Sequence, residues 1–327
     1  LLLLTALLDQ IQKTWRSSED RVGQFREARV AFDIITKNVS QASLNTYWDY
    51  HYDPSTNTPD YYERRSELHF RTFKADEIQG QIPGATTTTH ALFFQAPLGF
   101  SVKYRNLNNL FNGRGYFVAF TDDTQFRPKF IDAEPKYRFR LMEFRPPAEE
   151  NQVFSDGLEE REQGRTVVFD NWWKHTGSTV GSSPFFDHVH PLAENIIALI
   201  ISPRDTLEES GGDRRNTYSE IAPNYEYDSN EHSNPKYIQQ IPPLVRVTMV
   251  AIDETAGVRL EQQYGGDIPP IVNTSLFSNT TRYDDDIAEL SEDLAEQGIG
   301  YKVFSTIVML RSSRWSTYEI EGAGGTP

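Results

Sequence analysis

The chain opens on an apolar run, Leu1 to Leu8, broken only by Thr5, and the apolar positions then become periodic. Leu4, Leu8, Ile11, Trp15, Val22, Phe25, Ala28, Phe32, Ile35, Val39 and Ala42 fall on one stripe, with Ser18 between Trp15 and Val22. Steps of three and four define one face of an α-helix, and they predict a helix from the first residue to about Leu44. No proline interrupts it, and Gly23 is its weak point. Charged residues such as Asp9, Lys13, Arg16, Glu19, Arg26 and Glu27 fill the other faces. At 1.5 Å per residue such a helix would be about 65 Å long, a length found in coiled coils, membrane-linked stalks and spines of assemblies. The part from Phe25 to Leu44 is expected to pack on its own domain. Leu1 to Leu8 is apolar on every side, which suits neighbours or lipid better than water. Eight residues cannot cross a bilayer, which needs about 20, and no basic stretch precedes them as in a signal peptide. They read as the downstream end of an apolar segment.

Beyond the helix the period changes from 3.6 to 2. Tyr47 to Pro54 is an aromatic cluster, and Ser55 to Asp60 is a loop by its turn residues. Strands are predicted at Glu67–Phe73, His90–Ala96, Gly115–Thr121, Tyr137–Phe144, Glu194–Ile201, Leu244–Ile252 and Tyr301–Leu310. Asp205 to Pro235 is almost without aliphatics and reads as a long loop. A second helix is predicted over Asp284–Gln297. Asp284, Asp285 and Asp286 suit its positive end, Ile287, Leu290 and Leu294 form its stripe, and Gly298 can end it. The fold class that follows is α+β: a long N-terminal amphipathic helix packed on an antiparallel β head with long loops and a second short helix. Residues 1–45 would form the helical spine, a truncated membrane or assembly segment, and residues 46–327 the β-rich head.

Composition narrows the function classes. With 20 Phe, 16 Tyr and 5 Trp in 327 residues, the chain can bury a sizeable core. It has no cysteine, which excludes disulfides, thiolate metal sites and Cys nucleophiles. The net charge is −15, so phosphate backbones would be repelled and nucleic acid is not an expected partner. The excess acid is confined to one half: residues 1–150 carry 19 basic and 19 acidic groups, residues 151–327 carry 13 and 28.

An apolar N-terminal helix that turns amphipathic and runs into a β-rich domain resembles a type IV pilin or pseudopilin. The segment Arg26 to Ala42, with its Phe32-Asp33-Ile34-Ile35 followed by small polar residues, is similar to the end of the helix in J-type minor pseudopilins. Ile241 to Glu254, a proline pair, an alternating strand and an acidic turn, is similar to their heads. Tyr301 to Ser316 looks like the ending of the prepilin-like Verru_Chthon cassette protein C family. The likeness covers roughly the first 45 and last 90 residues; the prepilin cleavage motif and its glutamate are not in the chain. The resemblance implies a structural subunit of an extracytoplasmic pilus-like or type II secretion-like filament. Such a subunit is anchored first in the inner membrane and then sits in a periplasmic or extracellular filament. Its partners would be other pilin-like subunits, met through Leu4, Leu8, Ile11, Trp15, Val22, Phe25, Phe32 and Ile35.

Chemistry-bearing clusters are few. His188 and His190, with Asp187 beside them, would share a strand face and offer imidazole and carboxylate ligands of the Zn²⁺ kind; exposed histidines in a loop ending at Pro191 are the plainer account. Asp284, Asp285 and Asp286 supply oxygen ligands, and some pseudopilin heads hold structural Ca²⁺, although a helix start also explains three aspartates. No cofactor is expected otherwise. Trp172, Trp173, Tyr225 and Tyr227 lie in or beside loops, where aromatics either anchor protein and sugar contacts or form small cores that pin the loops. No nucleophile elbow, metalloprotease motif or P-loop occurs, so an enzyme is not expected. Two rivals to the filament subunit stand: a cell-surface binding module, adhesin or polysaccharide-binding, tethered by the helix, and a secreted carboxylate-dependent hydrolase.

Overall fold

The computed structural model describes residues 25–53, 55–78, 82, 86–104, 107, 109–128, 130–153, 172–173, 188–206, 219–230 and 237–313. In chain order the elements are α1 (Arg26–Val39), β1 (Tyr47–Tyr52), β2 (Pro59–Arg65), β3 (Phe70–Phe73), α2 (Ala75–Ile78), β4 (Thr86–Pro97), β5 (Phe111–Thr121), β6 (Arg138–Phe144), β7 (Val189–Glu194), β8 (Ile196–Arg204), β9 (Tyr227–Asp228), β10 (Leu244–Ile252), α3 (Glu254–Tyr264), α4 (Tyr283–Glu296) and β11 (Tyr301–Met309). The strands form three antiparallel sheets, and with few helices among them the fold is α+β.

The largest sheet is a meander. Strands β3 to β7 each pair with the next, and β9 lies outside β3. Both faces are covered, so its central strands are buried almost throughout, polar members such as Gln95, Asn112, Arg114, Arg140 and Glu143 included. Parity then decides which core each side chain enters. Leu92, Phe94, Tyr116, Val118, Phe139 and Leu141 join a core shared with α1 and the second sheet. Phe93, Phe117, Met142 and Phe144 point the other way, into a smaller core with Phe73, Trp172 and Trp173.

The second sheet has the order β11-β10-β8. The chain enters it at Asn195, whose φ of 60° lets strand β7 at the edge of one sheet turn directly into β8 of the other. A bulge in β4 between Thr87 and Ala91 meets the free edge of β8. There the amide of Leu199 donates to Thr89 Oγ1 at 3.0 Å and that of Ile201 to His90 Nδ1 at 3.1 Å. Side chains thus occupy the hydrogen-bonding groups of an edge strand that would otherwise be buried unpaired.

Several boundaries differ from those expected. The N-terminal helix ends at Val39, not Leu44. Ser40 Oγ turns back to the carbonyl of Lys37, and the amide of Ser43 pairs with Gln95 of β4, so the chain has left helical geometry. Residues 1–24, with Leu4, Leu8, Ile11, Trp15 and Val22 of the stripe, lie outside the described residues. The second predicted helix is α4, one residue earlier than expected. Several elements were not anticipated, the short α2, β7 and β9 among them, and two others are larger. The aromatic cluster and the loop after it form a hairpin, β1–β2, in which Asp53 and Thr58 close a turn with Asn57 at φ 52°. The acidic turn after β10 is the start of α3: Asp253 Oδ1 caps the helix by accepting from Ala256 N at 2.7 Å.

Candidate functional site

The seat of α1 is the best-defined functional candidate among the described residues, because it joins the helix to both large sheets. Ala28, Ala31, Phe32, Ile35 and Val39 recur at helical spacing and are at most 8% exposed. Phe25 is partly buried beside the same core. The face rests on β7, β10 and β11, with the Phe32 and Phe304 rings 5.7 Å apart. Of the predicted assembly residues, Phe25, Phe32 and Ile35 are therefore committed to this chain's own core, as the Phe25–Leu44 expectation had it. Arg26, Arg29, Val30, Asp33 and Lys37 face solvent.

Polar contacts fix the helix at both ends. At its start Glu27 accepts from the Glu194 amide at 3.1 Å. Toward its end Asn38 donates to the Tyr116 hydroxyl at 2.7 Å, and that hydroxyl donates to Glu143 Oε1 at 3.0 Å. Arg114 completes the network at 3.1 Å from the same oxygen. Arg114, Tyr116 and Glu143 are all buried. Burial, with the Glu143 charge beside it, raises the Tyr116 phenol far above its ordinary pKa, so it remains a neutral donor. Just past the helix, the amide of Arg311 donates to the Ser40 carbonyl at 3.1 Å and Ser312 Oγ to that of Ala42 at 2.5 Å. The chain's far end thus clasps the end of α1.

The other predicted groups fall elsewhere. Trp172, Trp173, Tyr225 and Tyr227 are 0–1% exposed, so the loop-anchoring alternative holds and a ligand-facing role does not. Trp172 and Trp173 pack edge-on and stacked against Phe93. The Trp172 indole N–H donates to His69 Nδ1 at 3.3 Å. Tyr225 lies 4.6 Å from the His90 ring, and the Tyr227 hydroxyl donates to the Gln240 carbonyl at 2.8 Å. Their burial had a readable signal. Gly113 and Gly115 sit inside a strand, where glycine marks a close approach, and a Cβ at Gly113 would stand 2.7 Å from the Trp172 ring.

His188 and His190 do not present themselves together. His188 precedes β7, is buried against Phe144 and has Nε2 3.1 Å from Glu150; His190 is exposed on the strand. Burial and the nearby Arg145 charge lower the His190 pKa. Asp284 and Asp285 are exposed at the first turn of α4, where the helix dipole favours them. Asp286 turns inward, 2% exposed, accepts from the Phe277 amide at 2.8 Å and faces Arg282 at 3.5 Å. Among the described residues no group of three or more His, Asp or Glu is placed to hold a metal ion.

An open depression of about 400 Å³ over α3 is lined by Glu254, Thr255, Val258, Arg259 and Gln262. Its one carboxylate, Glu254, is engaged by Arg138 at 3.2 Å and Asn195 at 2.5 Å, so no facing acid pair forms there. Among the described residues no helix is long and apolar enough to cross a membrane. Compared with protein-family models, curated proteins and solved structures, the chain finds no match in any of the three.

Proposed function

We propose that the protein is a structural, non-enzymatic subunit of an extracytoplasmic filament of the type IV pilus or type II secretion kind. The observation that carries this reading is the continuity of one apolar stripe. In the sequence it runs in register from Leu4 through Leu8, Ile11, Trp15 and Val22 into Phe25, Phe32 and Ile35. In the fold its last part is the face by which α1 holds the antiparallel sheets. The first part repeats the same spacing, with Ser18 its one polar position, and its use is to bind neighbouring helices. The segment sits in the inner membrane before assembly and is then drawn into a helical bundle of pilin-like subunits. Burial of its side chains there stabilises association at about 25 cal/mol per Å² of apolar area. The head faces outward in the periplasm or at the cell surface.

The test is the double substitution Leu8→Asp with Ile11→Asp in producing cells. Assembly is followed by cross-linking and by recovery of sheared filaments. The altered chain should keep a wild-type melting temperature for its head and should be missing from the filament fraction. Undiminished recovery with both aspartates in place would refute the spine.

A further inference from the structure

Half-buried strands ordinarily turn apolar residues inward, and the β1–β2 ribbon does the reverse. Trp48, Tyr50 and Tyr52 alternate along β1 and are 53%, 42% and 49% exposed; Tyr62, opposite Tyr50 on β2, is 51% exposed. On the other side Asp49, His51, Tyr61 and Glu63 are half-buried, and Tyr47 at its start is 40% exposed. The exposed rings are also held in place without help from the core. Tyr50 and Tyr62 stand 4.4 Å apart at a tilt of 34°, with their hydroxyls hydrogen-bonded at 2.5 Å. The Arg64 guanidinium lies 5.8 Å from the Trp48 ring. A contiguous, ordered aromatic surface turned to water marks a place where something binds.

Charge decides what fits it. Asp60 is paired with His51 at 2.8 Å and Glu63 with Arg65 at 2.5 Å. Asp49 and Asp53 accept from the backbone amides of Tyr50 and Ser55. The aromatic face itself carries rings, hydroxyls and the guanidinium of Arg64, a residue only 6% exposed. An anionic polymer finds no cluster of bases there. A basic peptide meets carboxylates that are already engaged. An uncharged ligand with flat C–H faces and hydroxyl rims is what remains complementary. Successive rings on one face of a strand are ~6.6 Å apart and form a row along which an extended chain can lie. We infer that this face of the β1–β2 ribbon binds a neutral polysaccharide, with pyranose faces stacked on Trp48, Tyr50, Tyr52 and Tyr62. This site is separate from the α1 seat and does not depend on the filament reading.

Affinity electrophoresis of the whole chain through native gels containing hydroxyethylcellulose, xylan, galactomannan or laminarin tests it. Retardation is expected in at least one of these neutral gels and not in polygalacturonate. The Trp48→Ala, Tyr50→Ala double variant should raise the dissociation constant about tenfold or more. Trp48→Phe, which keeps a flat ring, should retain most of the affinity. Tyr104→Ala, which removes a ring 58% exposed elsewhere, should leave it unchanged. Unretarded migration in all four neutral gels overturns the inference, and so does retardation that survives the double substitution. Gel filtration showing a dimer that the same double substitution dissociates, without any polymer effect, would make the face a contact between copies and would overturn it as well.

Discussion

Lowering the pH from 7 to 4.5 should weaken the fold chiefly through His90, the fully buried one of the two histidines whose pKa is lowered. Its ring sits in the β4 bulge, fully buried beside Tyr225, and both nitrogens are engaged. Nδ1 accepts from the Ile201 amide at 3.1 Å, which requires Nδ1 to be bare, and Nε2 donates to the Phe277 carbonyl at 2.9 Å. A second proton would set two donors against each other between His90 and β8. Desolvation by burial accordingly pushes the pKa down from 6.5 to about 4. The unfolded chain takes up a proton near pH 6.5 that the folded chain refuses until about pH 4. Stability from this group is therefore complete above pH 6.5 and is lost as the pH falls through that window. At 1.36 kcal/mol per pKa unit the loss approaches about 3 kcal/mol, a large share of the 5–15 kcal/mol that holds a domain together.

Urea denaturation at pH 7 and pH 4.5 measures it, and the midpoint should fall by about 1 M. Asp228 does not confuse the comparison, because its carboxylate pKa, brought down to about 2 chiefly by the His69 hydrogen bond against the opposing effect of burial, matters only at lower pH. His90→Gln keeps an acceptor and a donor but cannot titrate. It should be less stable than the wild type at pH 7 and lose about 2–3 kcal/mol less on acidification. Parallel losses in the two proteins would show that His90 is not the buried neutral group on which the reasoning rests.

Two further outcomes follow from single contacts. Gly115→Ala places a Cβ 2.3 Å from the Phe93 ring, which is wedged among Phe73, Phe144 and Trp173 and cannot retreat. The substitution should cost about 1–3 kcal/mol, read as a lower melting temperature, and an unchanged melt would mean the small core is looser than the contacts indicate. Asp228→Asn removes a carboxylate bound to His69 at 2.8 Å and Arg71 at 3.3 Å. Because the folded pKa is about 2 against an ordinary 3.8, this group's stability is present above pH 3.8 and lost toward pH 2. The variant should be less stable at neutral pH and lose about 2 kcal/mol less between pH 4.5 and 2; equal acid sensitivity would refute the assignment.

What could be read from the residues depended on whether a local pattern had one explanation or two. Strand β10 was predicted at Leu244–Ile252 and lies there, because Pro242 and Pro243 lack the N–H donors that a ladder needs before it and Asp253 caps a helix after it. Helix α3 itself went unread; Gly257 in its interior weakens the helical pattern. That glycine is required by packing: a Cβ would stand 2.3 Å from Asn195 Oδ1 and 2.4 Å from Arg138 Nη1. The β1–β2 hairpin was missed for the opposite reason. Its period of two is plain in Trp48, Tyr50 and Tyr52, but a strand whose aromatic side faces water does not resemble one that builds a core. The four aromatics that fitted either ligand anchors or local cores turn on the same point, and their burial makes them cores. A ring's type says that it will be packed against something, and only the surrounding strands decide whether that partner lies inside the chain. For Trp172 the partner was written into β5 as Gly113, a position where the missing side chain leaves room for an indole. For Trp48 and Tyr50 no described strand lies over the ring face, and the ribbon's charges are paired among themselves. The same residue chemistry therefore serves as core in one place and as surface in the other, and for Trp172 a glycine of the neighbouring strand marks the difference.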